Sequence, residues 1–290
     1  MADCNESGSG TCPSAAQIQP NMQQQQMKAG QDADLADSLS KIKNKFIVLS
    51  GKGGVGKTST SVNLSIALSK RGFKVGLMDV DIHGPDVPRM LGLKGMLGVD
   101  ADKKLTPIPY SDNLCAISIE SLSANKDDAI IWRGPLKHSI IRQFVADVNW
   151  GDLDFLIIDS PPGTGDEPLS VAQVVTGAKA VMVTTPQEVS LADVRKSINF
   201  CKTVKMELFG LIENMSGCAC PHCGKDVPLF GNGGGERTAG EFGINFLGKI
   251  PFDPNMVSCG DSGSSFQDAY ADSPVTKAFD TVAARMADLV

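Results

Sequence analysis

Gly51-Lys52-Gly53-Gly54-Val55-Gly56-Lys57-Thr58 is entered from the apolar run Phe46-Ile47-Val48-Leu49 and followed by Ser59-Thr60-Ser61-Val62-Asn63-Leu64. A buried strand, a glycine loop and a helix are written in that order. The spacing, Gly, four residues, then Gly-Lys-Thr, is that of a phosphate-binding loop. Such a loop works because successive backbone N–H groups and the positive end of a helix converge on phosphate oxygens. Lys57 would then reach the terminal phosphates and Thr58 would ligate magnesium. Gly51, Lys52, Gly53, Gly54, Val55, Gly56, Lys57, Thr58 and Ser59 form the candidate nucleotide-binding stretch. A bland glycine turn is the competing reading, and the strand before it and the helix after it argue against that.

The rest of the chain bounds what such a loop can serve. With 290 residues, 42% hydrophobic and 21% charged, the chain can bury a full core. Its net charge of -6 argues against a large nucleic-acid footprint. No run approaches the roughly 18 apolar residues of a membrane span, and Met1 to Gly30 has no basic end followed by an apolar core. The expectation is a cytoplasmic protein that binds neither membrane nor nucleic acid. In that reducing compartment the eight cysteines are expected free, metal-binding or reactive rather than paired.

Residues 1–33 are polar and low in complexity, with Gln23-Gln24-Gln25-Gln26, and read as a disordered tail carrying Cys4 and Cys12. A short helix from Leu35 to Lys43 leads into the first strand, and residues 34–290 read as one ATPase domain. Thr58 to Arg71 has the pattern of a helix packed on a sheet, ended by Gly72. Lys74 to Met78 reads as a buried strand delivering Asp79 and Asp81 to its C-terminal edge, the edge at which open parallel sheets bind ligands. Residues 86–110 read as turn-rich, followed by a strand from Leu114 to Ile119 and a helix from Pro135 to Val148. Asp154-Phe155-Leu156-Ile157-Ile158-Asp159 is a central parallel strand ending in a carboxylate placed to hold magnesium. Gly163, in Ser160-Pro161-Pro162-Gly163-Thr164-Gly165-Asp166, is placed to bring a backbone N–H to the γ-phosphate. Strands at Ala180–Thr184 and Leu208–Ile212 flank a helix from Ser190 to Val204. This alternation predicts an α/β fold with a doubly wound, mainly parallel sheet and helices on both faces.

The rhythm breaks at 216–230, a cysteine-rich turn containing Cys218-Ala219-Cys220-Pro221-His222-Cys223. Gly231 to Gly235 reads as flexible. A helix at Glu236–Phe242, a strand at Phe246–Ile250 and a terminal helix at Ser273–Leu289 close the chain. Cys115 and Cys201 sit in apolar patterns and read as core thiols. Cys259 has no ligand spacing, and His83 and His222 read as turn residues.

Lys52, an extra lysine at the start of the loop, resembles the mark of the deviant-loop ATPases that include MinD, ParA and the nitrogenase iron protein. Asp79 to Pro85, Trp132-Arg133-Gly134-Pro135, Asp159 to Asp166 and Asn214-Met215-Ser216-Gly217 resemble the Mrp branch of that class, the ATP-dependent iron-sulfur cluster carriers. The resemblance runs from about Lys45 to the C-terminus. It implies a homodimer with facing ATP sites, Lys52 reaching the partner's phosphates, Asp81 orienting the attacking water and Asn214 near adenine. It also implies a cluster site at Cys220 and Cys223, handing its cargo to apo iron-sulfur proteins. The tail departs from the family, because eukaryotic relatives carry four N-terminal cluster cysteines where this chain has Cys4 and Cys12. Two chains would supply four thiolates, enough for a [4Fe-4S] cluster, while zinc takes the same donors and spacing does not choose between them. Two rival readings stay open. One is a MinD- or ParA-like spatial regulator, disfavoured by Lys277 and Arg285 as the only basic residues of Thr276 to Val290. The other is an electron donor with a dimer-bridging cluster.

Overall fold

The apolar run before the glycine loop is the buried end of β1 (Ile42–Ser50), whose last five residues are all fully covered. The computed structural model describes residues 30, 32–82, 84–122, 134–219, 223 and 225–290. The tail cysteines Cys4 and Cys12, together with His83, Trp132, Arg133, Cys220 and His222, lie outside the described residues, as do 1–29 and 31.

The described residues open with α1, helical over 32–40, and β1, then α2 (Lys57–Lys70), β2 (Val75–Asp79) and α3 (Val87–Met90). A small hairpin, β3 (Gly98–Val99) and β4 (Leu105–Thr106), leads to β5 (Ile108–Ser111) and β6 (Leu114–Ser118). Next come α4 (Gly134–Ala146), β7 (Leu153–Asp159), α5 (Asp166–Val174), β8 (Lys179–Thr184), α6 (Glu188–Thr203) and β9 (Glu207–Ala219). The C-terminal part holds β10 (Asp226–Val227), α7 (Gly234–Phe242), β11 (Asn245–Phe252), α8 (Asn255–Ser262), α9 (Phe266–Ala269) and α10 (Pro274–Asp288).

The main sheet runs β5-β6-β2-β7-β1-β8-β9-β11, with β10 paired antiparallel to the end of β9. Its neighbours are parallel except at β5 and β10. Both faces are covered, which is why the strands read as near-continuous apolar runs. Ile47 and Leu49 of β1 pack with Ile141, Phe144, Val171, Val194 and Ile198 of α4, α5 and α6. Phe46 and Val48 point the other way, among Leu64, Leu68, Phe279, Val282 and Met286 of α2 and α10. The sheet is thus doubly wound, as the alternation predicted. No described helix is long and apolar enough to cross a membrane.

α2 is buried over most of its length although it is rich in serine and threonine. It tolerates this because its hydroxyls turn back onto its own carbonyls: Thr60 Oγ1 on Gly56 O at 2.8 Å, Ser61 Oγ on Lys57 O at 3.0 Å, Ser65 Oγ on Ser61 O at 2.7 Å. A polar helix can sit beneath a nucleotide site only if its donors are satisfied in this way.

The structure differs from the sequence expectations in four places. β9 does not stop at Ile212 but continues through Ala219, so the residues read as the start of a cysteine turn are strand. The stretch 86–110 holds α3 and the β3–β4 hairpin, and α8 and α9 fill a region that carries no periodic pattern. Gly231 to Gly235, read as flexible, is tied down: Gly234 and Gly235 are buried, and the Gly233 and Gly235 N–H groups both donate to Glu213.

Candidate functional site

The glycine loop joins the C-terminal end of β1 to the N-terminus of α2, and two of its glycines have a steric reason. A Cβ on Gly51 would come within 2.3 Å of the Asp193 backbone in α6, so this end of the loop is pressed against a neighbouring helix. Gly56 has φ 80, a left-handed backbone, and a Cβ there would meet Asn214 Nδ2 at 2.2 Å. Gly56→Ala is therefore expected to cost about 1–3 kcal/mol through backbone strain and displacement of Asn214. Gly53→Ala, whose Cβ would find Pro162 Cγ at 3.9 Å, should be close to neutral. Urea unfolding of the two variants side by side checks the contrast.

β2 and β7 lie side by side with Asp79 opposite Asp159, so two carboxylates end adjacent strands, both fully buried. Asp159 is the hub of the site. Its Oδ1 lies 2.8 Å from Lys57 Nζ and accepts from Ser61 Oγ at 2.7 Å, while Oδ2 accepts from Thr58 Oγ1 at 2.8 Å. Lys57, 6% exposed, also faces Asp81 Oδ2 at 4.0 Å and donates to Thr58 Oγ1 at 3.2 Å. Asp79 accepts from the Asp81 N–H at 3.0 Å and from Ser118 Oγ at 3.0 Å. Burial, and then the charge of Asp159, push the Asp79 carboxyl well above the usual carboxylate range. With Asp79 favoured in its protonated form, one lysine still faces two carboxylates, Asp81 and Asp159, which leaves negative charge for a divalent cation to neutralise. The Thr58 hydroxyl and Asp159 carboxylate are hard oxygen donors that fit magnesium.

The other predicted residues fall around this hub. Lys52 is half-buried and has no ion pair among the described residues, and its carbonyl accepts from Ser50 Oγ at 3.1 Å. Gly163 has φ 91 and its N–H donates to Ser50 O at 2.9 Å. That bond must open before the same N–H can meet a phosphate oxygen. Asn214 Nδ2 donates to Val55 O at 2.9 Å, so it braces the glycine loop. Beside it opens a cavity of about 360 Å³, lined by Ser59, Asn214, Met215, Pro251, Phe252 and Asp253 among others. Its size and mostly apolar walls suit a nucleotide base and sugar.

The cysteines divide by surroundings. Burial raises the Cys115 thiol to about 11 and the Cys201 thiol to about 12, so both stay protonated, and Cys259 is buried as well. Cys218 is half-buried on β9, opposite Val227 of β10 and Phe252 of β11, whereas Cys223 is exposed. Among the described residues no three Cys, His, Asp or Glu converge as a metal site. Sequence reading missed Ser61 and Glu213. Ser61 follows Lys57 by one helical turn, and Glu213 ends the apolar run Leu208–Ile212 just as Asp79 and Asp159 end theirs.

Residues 41–287 match the ParA-type family described as NUBPL iron-transfer P-loop NTPases. The chain belongs to this family. An iron-sulfur cluster carrier protein of Saccharolobus solfataricus is 44% identical over 281 residues, covering 94% of this chain and 95% of the relative. A cytosolic Fe-S cluster assembly factor, a NUBP2 homolog of Dictyostelium discoideum, is 48% identical over 241 residues, 81% of this chain and 91% of that protein. Among solved structures, a nucleotide-binding protein of Archaeoglobus fulgidus in complex with ADP aligns with TM-score 0.71 and 38% identity, covering 80% of this chain and 91% of that one. As a P-loop NTPase of this iron-transfer family the chain is an ATPase, and the Lys57–Asp159 hub is where its loop meets the sheet.

Proposed function

We propose that the protein is an ATP-dependent carrier that holds a [4Fe-4S] cluster between two copies of itself, through Cys220 and Cys223 of each, and delivers it to apo iron-sulfur proteins in the cytoplasm. The observation that carries this reading is β9. One strand leads from Asn214, against the glycine loop, to Cys218 at the threshold of the Cys220–Cys223 pair, so nucleotide and cargo chemistries share one backbone. The name and coverage of the Saccharolobus relative point the same way. The spatial-regulator reading shares the ATP site but leaves the cysteine pair unused, and the electron-donor reading shares β9 and the pair but not the support of the relative's name.

In the hydrolytic step water attacks the γ-phosphorus and ADP leaves. Lys57 would neutralise the transferring phosphoryl oxygens and Asp81 would orient the water. Thr58 and Asp159 would hold magnesium, whose positive charge would offset that of the phosphate oxygens. Turnover is expected to be slow in the isolated protein, because Lys52 of the facing copy completes the site only in the closed dimer.

Lys52→Ala and Asp81→Ala should each bind ATP yet fail to hydrolyse it. A heterodimer of the two variants keeps one site with both residues intact. An equal mixture should therefore recover about a quarter of wild-type turnover if Lys52 acts across the interface. A mixture of dimeric variants with no recovery would show that Lys52 acts within its own chain. Anaerobic transfer of cluster to an apo enzyme, followed by that enzyme's activity, tests delivery; a reconstituted cluster that cycles its charge but never leaves would favour the electron donor.

A further inference from the structure

Glu213 is a third buried carboxylate of this sheet, set within β9 rather than at its end, and its hydrogen bonds, unlike those of Asp159, go to groups other than Lys57, Thr58 and Ser61. It is fully buried. Its Oε1 accepts from Ser216 Oγ at 2.5 Å and from the Gly233 N–H at 2.9 Å, and its Oε2 accepts from the Gly235 N–H at 2.5 Å. Gly233 and Gly235 form the N-terminal turn of α7, where free N–H groups and the helix dipole favour an anion. A buried carboxylate with three donors fastens β9 to α7 at one point.

What it fastens is irregular. Asn214 pairs with Ile250 of β11 and Cys218 with Phe252, so β9 spends four residues where β11 spends two. The surplus is a bulge in which Met215 has φ 55 and Gly217 φ 77. Met215, a left-handed residue that is not glycine, lines the base cavity, and its Cε lies 3.5 Å from the place of a Gly56 Cβ. On the far side of the bulge the strand reaches Cys218, and the exposed Cys223 follows. Ser216, between the two left-handed residues, is the one whose hydroxyl Glu213 holds.

We infer that Glu213 is a positioning residue that anchors the Met215–Gly217 bulge to α7, so that occupancy of the base cavity, felt at Asn214 and Met215, is passed along β9 to the cysteine turn. The inference rests on the nucleotide-site reading above and adds the route by which that site acts on the cysteines. Without the anchor the bulge would absorb a displacement at Met215 locally, since a bulged strand has slack. With Ser216 fixed, the displacement has to continue into the strand beyond it.

Glu213→Gln keeps the shape but turns an NH2 group toward backbone N–H donors, so at least one of the three bonds is lost. The full-length, cluster-free, reduced protein is treated anaerobically with iodoacetamide, with and without magnesium and ADP, and modification of Cys223 is followed by peptide mass spectrometry. In the wild type ADP should change the rate by about fivefold or more, the lower end of ordinary site-to-site coupling. In Glu213→Gln the ratio should fall close to one while ADP affinity stays within about twofold. Ser216→Ala, a milder change that carries the test if Glu213→Gln does not fold, should give an intermediate ratio. A residue of purely structural importance would lower the melting temperature and shift both rates together, leaving the ratio unchanged. The inference is overturned if Glu213→Gln, or failing that Ser216→Ala, keeps the wild-type ratio. It is also overturned if wild-type protein binds ADP with no change at Cys223, a result that leaves the nucleotide site standing. Wild-type protein that binds no ADP would overturn the nucleotide-site reading and this inference with it.

Discussion

Lys57→Ala is expected to weaken ATP binding by about a hundredfold or more, corresponding to the roughly 3 kcal/mol typical of truncating one partner of a buried, hydrogen-bonded charge pair. Two effects act in the same direction. The lysine no longer meets the phosphates, and Asp81 and Asp159 lose the cation that faces them, so the site repels a triphosphate. Lys57 is 6% exposed and Asp159 fully buried, so the variant also carries an uncompensated carboxylate. Breaking a buried pair costs about 3–5 kcal/mol of stability as a rule. Thr58 and Ser61 still donate to Asp159, which places the expected loss toward the lower end of that range. Fluorescent-nucleotide titration reads the affinity, and circular dichroism with urea unfolding shows that the variant is folded when it is read. Wild-type affinity in Lys57→Ala would displace the nucleotide from this loop.

The parts of this site that were legible in the sequence are those whose chemistry is local. The glycine loop is one continuous stretch, and each of its demands on residue type is met within eight positions. Asp79 and Asp159 announced themselves as carboxylates at the ends of apolar runs, because a parallel strand covered on both faces leaves little else polar to read. Ser61 did not, since its importance lies in a bond to Asp159, 98 residues away. Nothing in a serine one turn along a helix distinguishes it from the other hydroxyls that α2 folds back onto itself.

The length of β9 is hidden for a related reason. Beyond Ile212 its residues are Glu213, Asn214, Ser216 and Gly217, a composition that describes a turn, and the left-handed conformations of Met215 and Gly217 are those of a turn too. The strand continues because β11 and β10 supply partners on either side, and pairing of that kind is invisible to local pattern. The glycine-rich stretch 231–235 hides its order in the same way. Glycine suggests freedom, but here it permits the close approach by which α7 caps Glu213. α8 and α9 are short and polar, and they are held by docking against α2 and α3 rather than by periodicity of their own.

Cys220→Ala together with Cys223→Ala is expected to abolish cluster binding while leaving ATP affinity unchanged within about twofold, because the glycine loop and base cavity keep all their groups. The expectation rests on the supply of thiolates. A [4Fe-4S] cluster takes four as a rule, one chain offers two at this turn, and a dimer offers four. The remaining described cysteines are poor substitutes: Cys115 and Cys201 hold their protons to about 11 and 12, Cys259 is buried, and Cys218 is half-buried within a paired strand. A thiol must be deprotonated and reachable to bind metal. Cys218→Ala should accordingly retain most of the cluster. Anaerobic reconstitution followed by iron, sulfide and zinc analysis should give about two irons per wild-type chain, the share of one four-iron cluster between two copies, and almost none in the double variant. About half a zinc per chain without sulfide would assign the same four sulfurs to zinc instead. A full complement of iron in the double variant would move the cluster to Cys4 and Cys12.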